Sequence, residues 1–168
     1  MRTGRLVVDV SELRRRAGNR KRIQRSALLS GLVVADVAVM EDAAVEVEGV
    51  MEAISDQVVL AGTVRADWVG SCRRCLDEVT GRVEVTIREV FDPHPVEGET
   101  YPLTGDTLDL EPMVRDTVLL NLPLAPLCDD ACPGPDPEHP VGGGPAEGGA
   151  EGEAGDPRWS ALRDLRFD

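Results

Sequence analysis

Gln57-Val-Val-Leu-Ala-Gly-Thr-Val-Arg-Ala-Asp-Trp-Val69, the turn Gly70-Ser-Cys-Arg-Arg-Cys-Leu-Asp77, and the run from Val79 to Phe91 are the residues that decide the fold. Both flanking segments alternate apolar and polar side chains. The pattern is plainest at Val83, Val85 and Ile87 against Arg82, Glu84, Thr86 and Arg88. A period of two marks a strand with one wet face. The pair is therefore expected as a hairpin, with Cys72 and Cys75 at its tip. Ala44-Val-Glu-Val-Glu-Gly-Val-Met51 alternates in the same way, with Ser55-Asp56 as the next turn. An antiparallel meander of three strands follows.

Outward from the meander, Leu6-Val-Val-Asp-Val10 reads as a short first strand, and Ser11 as a helix cap before Glu12-Leu13-Arg14-Arg15-Arg16. Gly18-Asn19 interrupts any longer helix. Asn19 to Ser26 is expected to be a basic loop or frayed turn. After Phe91 an acidic Pro/Gly loop runs through His94 and Glu99. The period then changes: Leu110, Met113, Val114, Thr117 and Val118 fall on one helical face, with Asp109 as cap and Pro112 in the first turn. Residues 133–157 are Gly, Pro, Glu and Asp with almost nothing to bury, as in an acidic flexible linker. Trp159, Leu162 and Leu165 then recur at helical spacing. The expectation is an α+β chain in three parts. Residues 1–132 form one antiparallel β-rich domain with a basic segment at 14–25 and a short helix after the third main strand. The linker 133–157 and a docking helix at 158–168 complete it.

A chain of 168 residues can bury one real core. Its only aromatics are Trp68, Phe91, Tyr101, Trp159 and Phe167, so Val, Leu, Ile and Ala must fill that core. No apolar run approaches the ~20 residues of a membrane span, and the first residues lack the succession of a signal peptide. A cytoplasmic protein with reduced thiols is expected. The net charge of −13 is unevenly spread. Residues 1–35 carry nine Arg/Lys against Asp9 and Glu12, leaving −20 on residues 36–168. Such a body repels polyanions at long range. Nucleic-acid contact is therefore to be sought at Arg14, Arg15, Arg16, Arg20, Lys21 and Arg22, or at Arg73 and Arg74. A solvated charged face is the plainer reading of the same residues.

The cysteines form two close pairs, Cys72/Cys75 and Cys128/Cys132. Two short-spaced pairs brought together by a fold can make a four-thiolate site, for which zinc is the default occupant. Two disulfides, free thiols and an iron–sulfur cluster are the other readings. Four cysteines would close a zinc shell, so the site would be structural rather than catalytic. Arg73 and Arg74 would offset its charge. His94 and His139 lie among prolines and glycines, as solvated side chains do. No isolated carboxylate pair, phosphate loop or nucleophile elbow points to an enzyme or to a small-molecule substrate.

Several of these segments together resemble the YceD family of large ribosomal RNA subunit accumulation proteins, in its actinobacterial form. They are Asp9-Val-Ser-Glu-Leu13; Leu60-Ala-Gly-Thr-Val-Arg65; Gly70 to Asp77; Gly105 to Val118; Leu122-Pro-Leu-Ala-Pro-Leu-Cys128; and Asp156-Pro-Arg-Trp-Ser-Ala-Leu162. The resemblance implies a cytoplasmic, non-enzymatic protein needed for accumulation of 23S rRNA, with a large-subunit ribosomal protein as a further partner. Relatives commonly continue with a Cys-Pro-Gly-Leu-Cys-x-x-Cys-Gly run. Here Asp136 and His139 stand where further cysteines would be, with His139 as a conceivable substitute ligand.

Two functional readings follow. In the first, the domain supports 23S rRNA accumulation by binding the rRNA or its precursor, or a large-subunit ribosomal protein; RNA contact would run through the named arginines, which match phosphate geometry, and Lys21. In the second, its acidic body binds a basic ribosomal protein without touching RNA.

Overall fold

Branched side chains at alternate positions fit a pleated sheet better than a helix, and they build one here. The computed structural model describes residues 6–136 and residue 138. In chain order its elements are β1 (Val7–Asp9), α1 (Ser11–Arg14), β2 (Arg20–Ala27), β3 (Val33–Val34), β4 (Val37–Val39) and β5 (Val45–Ile54). They continue as β6 (Gln57–Ser71), β7 (Glu78–Asp92), β8 (Tyr101–Pro102), β9 (Thr107–Asp109) and α2 (Glu111–Asn121).

The fold is α+β and mostly antiparallel. β5, β6 and β7 form the expected meander around the 15-residue β6. One edge of β6 pairs β7 from Val58↔Phe91 to Ser71↔Glu78. Its other edge pairs β5 first and then, at Trp68 and Val69, β4. β2 extends the sheet beyond β5, and β8 joins β7 in parallel. β1 and β9 make a separate two-stranded ribbon. At ~3.3 Å per residue β6 spans about 45 Å, so the β5–β6 turn and the cysteine hairpin lie at opposite ends of the sheet.

Inward residues Val47, Met51, Leu60, Val64 and Phe91 pack against Leu108, Leu110 and the α2 face of Met113, Val114 and Val118, all buried. Full burial of each such side chain contributes roughly 1.5–3 kcal/mol. Gly49 and Gly62 face each other across β5 and β6, in the row that runs from Ile23 to Ile87. A Cβ on Gly49 would lie 2.5 Å from the Ala61 carbonyl oxygen, and one on Gly62 would strike the Glu48 carbonyl.

Three expectations need correction. Residues 20–27 are strand β2, not a basic loop: eight backbone pairings with β5 hold them extended, although only Ile23 and Ala27 are buried. Ser11 does not cap α1. It is the first helical residue, and both its N–H (2.8 Å) and its O–H (2.6 Å) donate to Asp9 Oδ1. Likewise α2 starts at Glu111, whose N–H donates to Asp109 Oδ1 at 2.9 Å from one position farther back than a cap. The linker from residue 139 onward, the C-terminal helix at 158–168 and His139 lie outside the described residues. Among the described residues no helix is long and apolar enough to cross a membrane.

Candidate functional site

The β6–β7 turn is a knuckle. Cys72 N–H donates to the Asp77 carbonyl (2.8 Å), Leu76 N–H to the Cys72 carbonyl (3.0 Å), and Arg74 N–H points at Cys72 Sγ (3.5 Å). The turn closes only because Leu76 takes φ +67°, a left-handed conformation that glycine enters freely and leucine does not. Past α2, Pro123 and Pro126 steer the chain back across the sheet end. There the Pro126 carbonyl accepts Arg73 N–H at 2.9 Å. A second turn follows, with Ala131 N–H on Asp129 Oδ1 (2.7 Å) and Cys132 N–H on the Asp129 carbonyl (3.0 Å).

These two turns bring Cys72, Cys75, Cys128 and Cys132 together, all four sulfurs within 4.8 Å of one another. Cys72–Cys132 is 3.8 Å and Cys75–Cys128 is 3.6 Å, and all four are free thiols. The disulfide reading therefore does not hold. A tetrahedron of thiolates at about 2.3 Å from zinc has edges of about 3.8 Å, so the donor set fits zinc in type and spacing. Backbone N–H groups hold the Cys72 thiol down to about 6. Cys75 is raised: the Asp77 amide lowers it, but burial and the neighbouring thiols outweigh that donor. Cys128 is also raised, chiefly by its contact with Cys132. One thiolate makes the next costly, a conflict that a dication removes. Asp136 Oδ1 accepts the Glu138 N–H at 3.0 Å.

Arg74 clamps the two turns. Its guanidinium donates to the carbonyls of Asp130 (2.9 Å) and Cys132 (3.0 Å). Arg73 is exposed and has no side-chain partner among the described residues.

The other basic candidates collect at the opposite end of the sheet. Arg14 donates to the Gly105 carbonyl (2.5 Å) and lies 3.5 Å from Asp106, Arg20 pairs Glu52 at 3.1 Å, and Lys21 Nζ donates to the Asp9 carbonyl at 2.8 Å. Arg15, Arg16 and Arg22 have no side-chain partner among the described residues. The structure thus joins residues 14–22 into one region and leaves Arg73 and Arg74 about 45 Å from it, the length of β6.

Sequence reading missed Arg88. Register places it at the end of the row Arg22–Val50–Ala61–Arg88 on the open face. Arg20 and Arg88 flank a hollow of about 230 Å³ floored by Val50, Val59 and Ala61. Alternation marks Arg88 as outward, but only pairing across four strands reveals its neighbours. Farther along the same face Arg65 bridges Glu48 and Glu84, and Arg82 pairs Asp67 at 2.6 Å. The sheet's middle is thereby neutralised and its turn end is left cationic.

The described residues thus form a mostly antiparallel sheet, with a group of basic side chains at one end and a four-cysteine knuckle at the other. The chain belongs to the YceD family: the model of large ribosomal RNA subunit accumulation protein YceD matches residues 60–166. That membership ties it to large-subunit rRNA accumulation and so to ribosome biogenesis. An uncharacterized protein of Mycobacterium tuberculosis is 34% identical over 95% of this chain and 81% of its own length. One from Mycobacterium leprae is 33% identical over 77% of this chain and 63% of its own. The uncharacterized Bacillus subtilis protein YlbN is 27% identical over 62% and 59% respectively. No solved structure matches the chain.

Proposed function

We propose that this protein is a non-enzymatic, cytoplasmic ribosome-biogenesis factor that supports 23S rRNA accumulation by binding the precursor RNA. In this reading Cys72, Cys75, Cys128 and Cys132 hold a structural zinc. The observation that carries the RNA contact is the group of arginines without partners among the described residues, Arg15, Arg16 and Arg22, at one end of the sheet in an otherwise acidic protein. Arg14, Arg20 and Lys21 join them, because exposed pairs of the Arg20–Glu52 kind are worth roughly 0–1 kcal/mol and exchange readily for phosphate. Arg73 provides a separate contact at the far end, which an RNA reaches together with the first only if it spans about 45 Å. Arg74 positions the cysteine turns and reaches RNA only by releasing its carbonyl partners. Zinc, when bound, supplies closure: it ties residues 128–132 to the hairpin tip.

The test is equilibrium binding of a transcribed 23S precursor across a salt series. Replacing Arg15, Arg16 and Arg22 by Gln should lower affinity and flatten the log–log salt slope by roughly two to three. Replacing Arg73 should weaken long transcripts while leaving short fragments unaffected. An unchanged slope in a folded triple variant defeats the reading. The alternative, a basic ribosomal protein bound without RNA contact, is favoured by the −20 charge over residues 36–168.

A further inference from the structure

α2 covers only part of the sheet. Beside its last turns, between Glu89 of β7, Tyr101 of β8 and the helix residues Asp116, Leu119 and Leu120, a groove of about 550 Å³ opens, with Glu99 at its lip. Its floor is apolar. Leu119 packs on the core, and the Tyr101 ring lies 5.7 Å from that of Phe91. Leu120 is 84% exposed, the most of any large apolar side chain among the described residues.

Its walls are anionic. Among the described residues the groove is lined by Glu89, Glu99 and Asp116 and by no basic side chain. Glu89 is the unusual member: it lies on the covered face of the sheet, paired with the fully buried Leu60 and on the same side as Ile87 and Phe91. Burial raises its pKa. Arg88 precedes it and by alternation points to the other face. Asp116 accepts the Tyr101 O–H at 3.1 Å and has no cation either among the described residues. Burial first, then that bond and the charges of Asp116 and Glu89, push Tyr101 up to about 12.

A carboxylate partly desolvated with no cation beside it among the described residues, and a leucine left in water, are both costly. Phosphate would be repelled by three carboxylates. A polyamine would neutralise them but leave Leu120 uncovered. We propose that this groove docks a basic segment of a partner protein, an arginine or lysine entering between Glu89 and Asp116 while an adjacent apolar residue covers Leu119 and Leu120. The inference does not depend on the RNA contact, and it gives the protein-binding alternative a location.

The test uses the full chain and a capped fluorescent peptide of Gly and Ser residues carrying one Arg-Leu-Arg centre. Controls carry citrulline for arginine, or glycine for the leucine, and spermidine serves as competitor. The expected result is amide shifts confined to Glu89, Tyr101, Asp116 and the end of α2, with at least tenfold weaker binding for either control peptide. Glu89→Gln and Leu120→Ser should each weaken the parent peptide tenfold while melting no lower than the parent protein. Shifts spread over all acidic residues, an unaffected Leu120→Ser variant, full displacement by micromolar spermidine, or no peptide binding at all would each overturn the proposal. None of these outcomes depends on Arg15, Arg16 or Arg22, which do not line the groove, so this inference and the RNA reading fail separately.

Discussion

Leu76 and Glu89 are two residues whose surroundings oppose them. Leu76 holds φ +67° with 73% of its surface in water, so it spends conformational energy without burying its side chain. Leu76→Gly should stabilise the fold by about 1 kcal/mol, read from urea unfolding of the thiol-reduced protein. A loss of stability would show that the leucine has a contact worth more than the strain. For Glu89 the sign follows from burial. Its folded pKa lies above the ordinary 4.5, so the folded state binds the proton more tightly than the unfolded state. Its stabilising contribution is present at low pH and lost as pH rises through the raised folded value. Glu89→Gln should therefore melt higher than the parent at pH 7, with the difference vanishing below about pH 4. Equal melting temperatures at both pH values would mean that the carboxylate is not desolvated.

At the level of elements, the meander and its cysteine-bearing tip were legible because alternation is a local signal and both strands are long. β2 was not. Arg20, Lys21, Arg22, Gln24 and Arg25 give no alternation, and the strand exists through its ladder to β5, a non-local pairing. β3, β4, β8 and β9 have two or three residues each, too few to carry any period. The cysteine pairs were visible as pairs. Their convergence depends on the Pro126–Arg73 backbone bond and the Arg74 clamp, contacts between segments that nothing local announces. The Gly49–Gly62 crossing is an element-scale constraint of the same kind. Gly62→Ala pushes a methyl group into the Glu48 carbonyl where two strands are fully paired. It should cost about 2 kcal/mol or more, measured as a lower urea midpoint. A neutral outcome would mean that β5 and β6 can separate locally.

The whole molecule separates its charges along one long sheet: arginines at the β5–β6 end, ion pairs across the middle, and the thiolate knuckle about 45 Å away. Two consequences follow at this scale. Protein purified under reducing conditions without chelator should carry about one zinc per chain, and Cys128→Ser should lower that content and loosen residues 128–132 without unfolding the distant sheet. Metal content near zero, with four titratable thiols, would contradict the four-thiolate assignment. The charge separation also bears on the partner, because an RNA must reach the cationic end past an acidic body. In-cell ultraviolet crosslinking, followed by stringent purification and sequencing of the bound RNA, tests that claim most directly. The parent protein should yield reproducible crosslinks on 23S rRNA or its precursor, with crosslinked peptides from residues 14–25, and the Arg15/Arg16/Arg22→Gln variant should lose most of them. Absence of crosslinks, in a preparation that still recovers a ribosomal protein, would contradict the RNA reading and leave the acidic docking surface as the functional one.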